Sequence, residues 1–144
     1  MFGRSRKEKA QRTIAAIAGG DVPTVLNVIT DDFVFVDSKE VELKGRAAFA
    51  RFLEKFKSLD LGVKIDHGAL GVSGDQILMS GNQTAYDDRL CCRIQWQITF
   101  RRGRICRIQT FRGDELVSII RIVENHAHEI SPAEMVCEAS RQSA

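Results

Sequence analysis

Cys91-Cys92-Arg93-Ile94-Gln95-Trp96-Gln97-Ile98-Thr99-Phe100-Arg101-Arg102-Gly103-Arg104-Ile105-Cys106-Arg107-Ile108-Gln109-Thr110-Phe111-Arg112 is the stretch on which the fold turns. Apolar and polar residues alternate on both sides of Arg101-Arg102-Gly103, the pattern of two strands joined by a tight hairpin. The turn is expected as a three-residue loop with Gly103 in the left-handed conformation. Residues whose numbers sum to about 204 then face each other across the hairpin. On that register Ile94, Trp96, Ile98 and Phe100 meet Thr110, Ile108, Cys106 and Arg104 on an inner face. Arg93, Gln95, Gln97 and Thr99 join Ile105, Arg107, Gln109 and Phe111 on an outer, half-polar one.

Upstream, residues 63–72 and 76–86 have the same strand character. Ser73-Gly74-Asp75 and Asp87-Asp88 break them, so residues 61–112 read as a meander of four long strands. Further back the period changes. Phe49, Phe52, Leu53 and Phe56 fall at helical spacing over residues 45–57, and three phenylalanines on one stripe require a large apolar surface beneath. Phe33-Val34-Phe35-Val36-Asp37 is a short strand that puts Asp37 on the face of Phe33 and Phe35. Residues 5–18 form a helix with Ala10, Ile14 and Ile17 on one stripe. Gly19-Gly20 ends it, and Asp21 caps a second helix running to residue 30, with Val25, Leu26 and Ile29 inward.

Downstream of Gly113, Leu116, Ile119, Ile120 and Val123 have helical spacing, and Ser131-Pro132-Ala133-Glu134 opens a last short helix. The whole is one domain, 1–144, with a core at about 5–113 and a C-terminal helical extension over 114–144. The fold class is α+β, with N-terminal helices packed over the concave face of a curved antiparallel sheet.

Composition narrows the function classes. Of the 144 residues, 44% are hydrophobic and 28% charged, ordinary globular usage. A net charge of +2 makes no field that calls for nucleic acid or a membrane surface. Arg101, Arg102, Arg104 and Arg107 cluster at one hairpin, but Asp31-Asp32 and Asp87-Asp88 offset them. No membrane-spanning run and no secretory leader is read, so a cytoplasmic setting is expected. Cys91, Cys92, Cys106 and Cys137 lack zinc-site spacing and are expected as free thiols. His126 and His128, two apart on a helix, do not share a face, and no metal site is expected.

The order helix, helix, short strand, helix, four antiparallel strands resembles the nuclear transport factor 2-like superfamily, with its ketosteroid isomerase-like and SnoaL-like members. The likeness rests on Gly20-Asp21, on Thr30-Asp31-Asp32-Phe33-Val34-Phe35-Val36-Asp37, on Gly45-Arg46-Ala47-Ala48-Phe49 and on Gly103-Arg104-Ile105-Cys106-Arg107-Ile108. It covers about residues 10–113. It implies a cone-shaped pocket between helices and sheet, and says little of reaction. By this resemblance Asp37 falls where ketosteroid isomerase keeps its general base. That enzyme's oxyanion tyrosine corresponds to Thr13 and its protonated aspartate to Trp96, so both strong donors are missing and isomerisation of ketosteroids is not expected. The charge set of limonene epoxide hydrolase and the paired histidines and tyrosines of scytalone dehydratase are not matched either.

Three readings of function stay open. In the first, a hydrophobic, partly cyclic compound undergoes proton transfer without cofactor, by an isomerase, dehydratase or cyclase. Asp37 is then acid or base, and Phe35, Phe52, Phe56 and Trp96 shape the cavity. Ile108, Thr110 and Arg112 lie on the same inner face, the alignment adds Asn82, Thr84 and Tyr86, and His67 is a candidate proton shuttle. In the second, the domain binds a ligand without chemistry. In the third it is an assembly domain, and a homodimer through the outer sheet face is expected in any case. Asp37 equally reads as the cap of the turn at Ser38, and Trp96 as ordinary core.

Overall fold

The computed structural model describes residues 2–112 and 118–125. The chain runs α1 (Phe2–Gly19), α2 (Val22–Leu26), β1 (Ile29–Val36), β2 (Glu42–Lys44), α3 (Arg46–Leu59), β3 (Lys64–Ser73), β4 (Gln76–Thr84), β5 (Cys92–Arg101), β6 (Arg104–Arg112) and α4 (Ile119–Asn125). A single 3-10 turn, Asp88–Leu90, leads into β5. The expected last helix at residues 131–134 lies outside the described residues.

The hairpin forms, but its register differs from the expected one by two residues. Trp96 faces Thr110 and Ile98 faces Ile108. A shift of two keeps every side chain on its own face, so the inner and outer sets survive over this stretch. Closer to the turn they do not. The register slips between Thr99 and Phe100, and Phe100 faces Ile105. This bulge re-aims the strand. Ile105 is fully buried, while Arg104 is exposed and Cys106 half-buried. The loop itself is two residues, Arg102 and Gly103, with φ of 54° and 80°. Positive φ at both central positions is the type I′ geometry, whose twist matches that of the flanking strands.

Six strands form one sheet in the order β2-β1-β6-β5-β4-β3. The meander β3 to β6 is antiparallel throughout, whereas β1 lies parallel to β6, with Phe35 beside Ile108. Two details depart from the sequence reading. Helix α2 stops at Leu26, and Ile29, expected on its inner stripe, begins β1 instead. Asp21 does cap α2, its carboxylate accepting from the Thr24 N–H and hydroxyl. The short strand β2, too polar to announce itself, pairs with β1 at Val34–Val36.

Strands β3 and β4 shift register between His67 and Leu70. Gly81 sits opposite that point, and a Cβ there would lie 2.4 Å from the Asp66 carbonyl oxygen. Only glycine lets the two backbones approach so closely. Helices α1 and α3 lie across the concave face. Ile14 from α1 and Phe49, Phe52, Leu53 and Phe56 from α3 are buried against Phe33, Phe35, Trp96 and Ile98 of the sheet. Helix α4 closes this core from the side with Ile120 and Val123. Among the described residues no helix is long and apolar enough to cross a membrane.

The basic residues at the β5–β6 turn are partly tied up. Arg101 bonds Asp32, which holds the aspartate's carboxyl below its ordinary range and raises the guanidinium. Lys9 and Arg6 of α1 donate to the carbonyls of Gly103 and Gly74. Cys92 and Cys106 are in no disulfide. Cys91 is held in a disulfide, which corrects the expectation of a free thiol there.

Candidate functional site

The space between α1, α3, α4 and the concave sheet face is nearly filled. Phe33, Phe35, Phe49, Phe52 and Phe56 form a continuous run of ring contacts with centroids 4.8 to 6.0 Å apart. These aromatics take up the volume that an open cone would offer. Among the described residues a cleft-like cavity of about 40 Å³ remains there, walled mostly by apolar side chains.

Phe35, Phe52, Phe56, Trp96, Thr110 and Arg112 line this cavity. The other residues named from the sequence do not. Ile108 is fully buried in the core outside the cavity wall. Asn82, Thr84 and Tyr86 are exposed, and His67 is exposed on edge strand β3. His67 therefore cannot relay a proton from inside the cone. Asn82 and Thr84 of β4 and Tyr86 just beyond it were placed inward from the alignment, one residue out of phase. Ile77 and Met79 are the buried positions of β4, and the same parity carries Gln83 inward. Strict period two from Ile77 would have found it.

Gln83 is thus a polar wall residue that the sequence reading missed. It is 6% exposed, and its Nε2 donates to the Leu90 carbonyl at 2.7 Å, which compensates its burial. Thr110 donates from Oγ1 to the Val36 carbonyl at 3.5 Å. Arg112 reaches from the end of β6 to the β4–β5 connection, its Nε against Cys92 Sγ at 3.1 Å and its Nη2 on the Arg89 carbonyl. The polar groups on the wall are held by the protein around them.

Asp37 is buried, at 1% exposure, but the cavity wall passes through its neighbour Ser38. Its carboxylate is occupied on both oxygens. Oδ1 accepts from the backbone N–H groups of Lys39, at 2.9 Å, and Val41, at 3.1 Å. This is an Asx-type turn that closes the β1–β2 connection. Oδ2 accepts from the Ser118 hydroxyl and from the Ile120 N–H at 3.4 Å. Ser118 in turn accepts from the Arg121 N–H at 3.1 Å, so serine and aspartate together satisfy the first turn of α4. Four donors on one buried carboxylate leave neither of its oxygens without a partner. Ile119, between those donors, is the side chain that α4 adds to the cavity wall.

These features agree with the comparisons. Residues 10–108 match the model of the SnoaL-like domain, and the chain belongs to that family. Its neighbours among solved structures are NTF2-like, cystatin-fold and ketosteroid isomerase-like proteins. Bal32a, from a soil-derived mobile gene cassette, superposes with a TM-score of 0.68 at 19% identity, over 79% of this chain and 93% of its own. A hypothetical protein with a ketosteroid isomerase-like fold from Catenulispora acidiphila, solved in complex with trimethylamine, gives 0.63 at 14% identity, over 72% and 84%. An uncharacterised cystatin-fold protein from Novosphingobium aromaticivorans gives 0.61 at 20% identity, over 73% and 96%. At these identities the likeness speaks for the fold. No curated protein sequence matches the chain.

Proposed function

We propose that this SnoaL-like domain binds a small, largely apolar molecule in its cone, and that the conformation described is the closed one. The observation that carries this reading is the cavity itself: aromatic walls, with Gln83, Thr110 and Arg112 as anchored polar points. Small-molecule pockets combine such walls with few polar groups, though at roughly 300–1,000 Å³. At about 40 Å³ the closed cavity admits a few waters at most, so a ligand must widen it. The occupied carboxylate of Asp37 favours binding over acid–base turnover as the resting role. Isomerase, dehydratase or cyclase chemistry with Asp37 as acid or base remains the alternative.

A thermal-shift screen of flat, oxygenated hydrophobic compounds tests this. A ligand at one hundred times its Kd should add about 2.7 kcal/mol of stability. Ala18 lines the cavity from α1 and is half-buried, so Ala18→Leu fills the space at little cost to the fold. That variant should abolish the response. Equal shifts in both proteins would place the ligand elsewhere and sink the reading.

The outer sheet face supports a second, compatible proposal, a homodimer. Leu78 and Phe111 are 47% and 44% exposed there, beside Gln95 and Gln97. Ile105, counted on this face from the sequence, belongs to the core instead. Leu78→Glu is expected to turn a dimer into a monomer in sedimentation equilibrium at micromolar concentration. A monomeric wild type would count against pairing.

A further inference from the structure

Helix α4 enters the site in two ways at once. Ser118 and the Ile120 N–H take up Oδ2 of Asp37, and Ile119, between them, completes the cavity wall. The two carboxylate oxygens are therefore divided between different parts of the chain. Oδ1 belongs to the turn at Lys39 and Val41, four residues or fewer away, and stays fixed whatever α4 does. Both Oδ2 donors come from α4 and the residue just before it, Ser118, more than eighty residues away.

We propose that α4 is a latch on the pocket, fastened by Asp37 Oδ2, and that ligand entry replaces it. The inference rests on the pocket reading above and adds how the pocket opens and what it accepts. Moving α4 aside removes Ile119 from the wall and leaves Oδ2 without its two donors. A buried acceptor stripped of its partners is costly, so the occupant must bring a donor of its own. It must also fill the apolar space left by a branched aliphatic side chain. The latch thus prefigures its competitor: an apolar, branched or alicyclic body carrying one hydroxyl, in place of the Ile119 side chain and the Ser118 O–H. An ether of the same shape fills the space but cannot donate. Asp37 in this scheme is a binding group that α4 masks.

Two measurements separate the latch from the pocket. Hydrogen exchange at the amides of residues 119–125 reads the latch with no ligand present. In Ser118→Ala these amides should exchange about tenfold faster or more, because a hydrogen bond to a charged group and a helix cap are both lost, while the amides of β5 and β6 keep wild-type protection. Calorimetric titration with cyclohexylmethanol and with its methyl ether reads the occupant. The alcohol should bind Ser118→Ala about tenfold more tightly than wild type, because the competing closed state is depopulated. The ether should bind neither. Ile119→Ala should keep its α4 amides protected and gain no such affinity for the alcohol, since the fastening is intact and Oδ2 keeps its donors.

If Ser118→Ala loosens α4 and the sheet alike, the contact merely supports the fold and the latch is overturned. If the ether binds as well as the alcohol, Oδ2 takes no part in recognition and the ligand class is overturned. Selective release of α4 with no alcohol bound by any variant would leave the latch standing and overturn the pocket reading instead.

Discussion

Phe49→Ala is expected to lower the free energy of unfolding by about 4 kcal/mol, the largest single-residue effect in this domain. Phe49 is fully buried and its ring lies 4.8, 5.2 and 5.8 Å from those of Phe33, Phe35 and Phe52. Truncation removes the transfer energy of the ring and also the partner for three neighbours. Rigid aromatics on two facing elements cannot collapse into the hole, so the cavity term persists. For a marginally stable domain, about 4 kcal/mol is a large fraction of the total. Urea denaturation should show the loss as a lower midpoint at unchanged slope. Phe49→Leu keeps most of the volume and should cost only about 1 to 1.5 kcal/mol. A Phe49→Ala loss no larger than that of leucine would mean that the helix settles onto the sheet, and that the rings do not hold α3 at its distance.

The second large effect concerns Asp37. Asp37→Ala should cost about 3 kcal/mol, because it strands buried donors on both the β1–β2 turn and the first turn of α4. At roughly 3 °C per kcal/mol for a chain of this size, the melting point falls by about 10 °C. Asp37→Asn should fall between. Its amide oxygen can still accept from Lys39 and Val41, and Ser118 can rotate to accept from the new NH₂. The Ile120 N–H, fixed by the helix, then faces a donor. A residue kept only for proton transfer would behave in the opposite sense, since burying an unused carboxylate is a cost that alanine relieves. Stability within about 0.5 kcal/mol of wild type in Asp37→Ala would therefore remove the structural role described here.

The candidate site was legible in part, and the division follows a physical line. Phe35, Phe52, Phe56, Trp96, Thr110 and Arg112 line the cavity, and each sits in a run with clear periodicity, on strands β1, β5 and β6 or on helix α3. Asn82, Thr84 and Tyr86 were misplaced because polar residues near the end of β4 carry no apolar rhythm of their own. A phase taken from distant relatives replaced the one that Ile77 and Met79 supply. Asp37 was singled out as a charge on an aromatic face. Its partners were not visible, since Ser118 lies 81 residues along the chain and nothing local marks it as a hydrogen-bond donor to a carboxylate.

From the residues alone came the family, the helix-then-sheet order, the four-stranded meander, the stripe of phenylalanines on α3 and the two faces of the central hairpin. All of these depend on contacts within a few residues or on the alternation of one strand, and local periodicity encodes both. Tertiary structure decided the rest. It set β1 parallel to β6, slid the hairpin by two residues and a bulge, and burned most of the cone's volume in ring contacts. It also brought α4 onto Asp37. Each of these joins segments far apart in the chain, where the outcome depends on which packing excludes the most water and leaves the fewest buried groups unpaired. No single segment contains that comparison; only the assembled fold makes it.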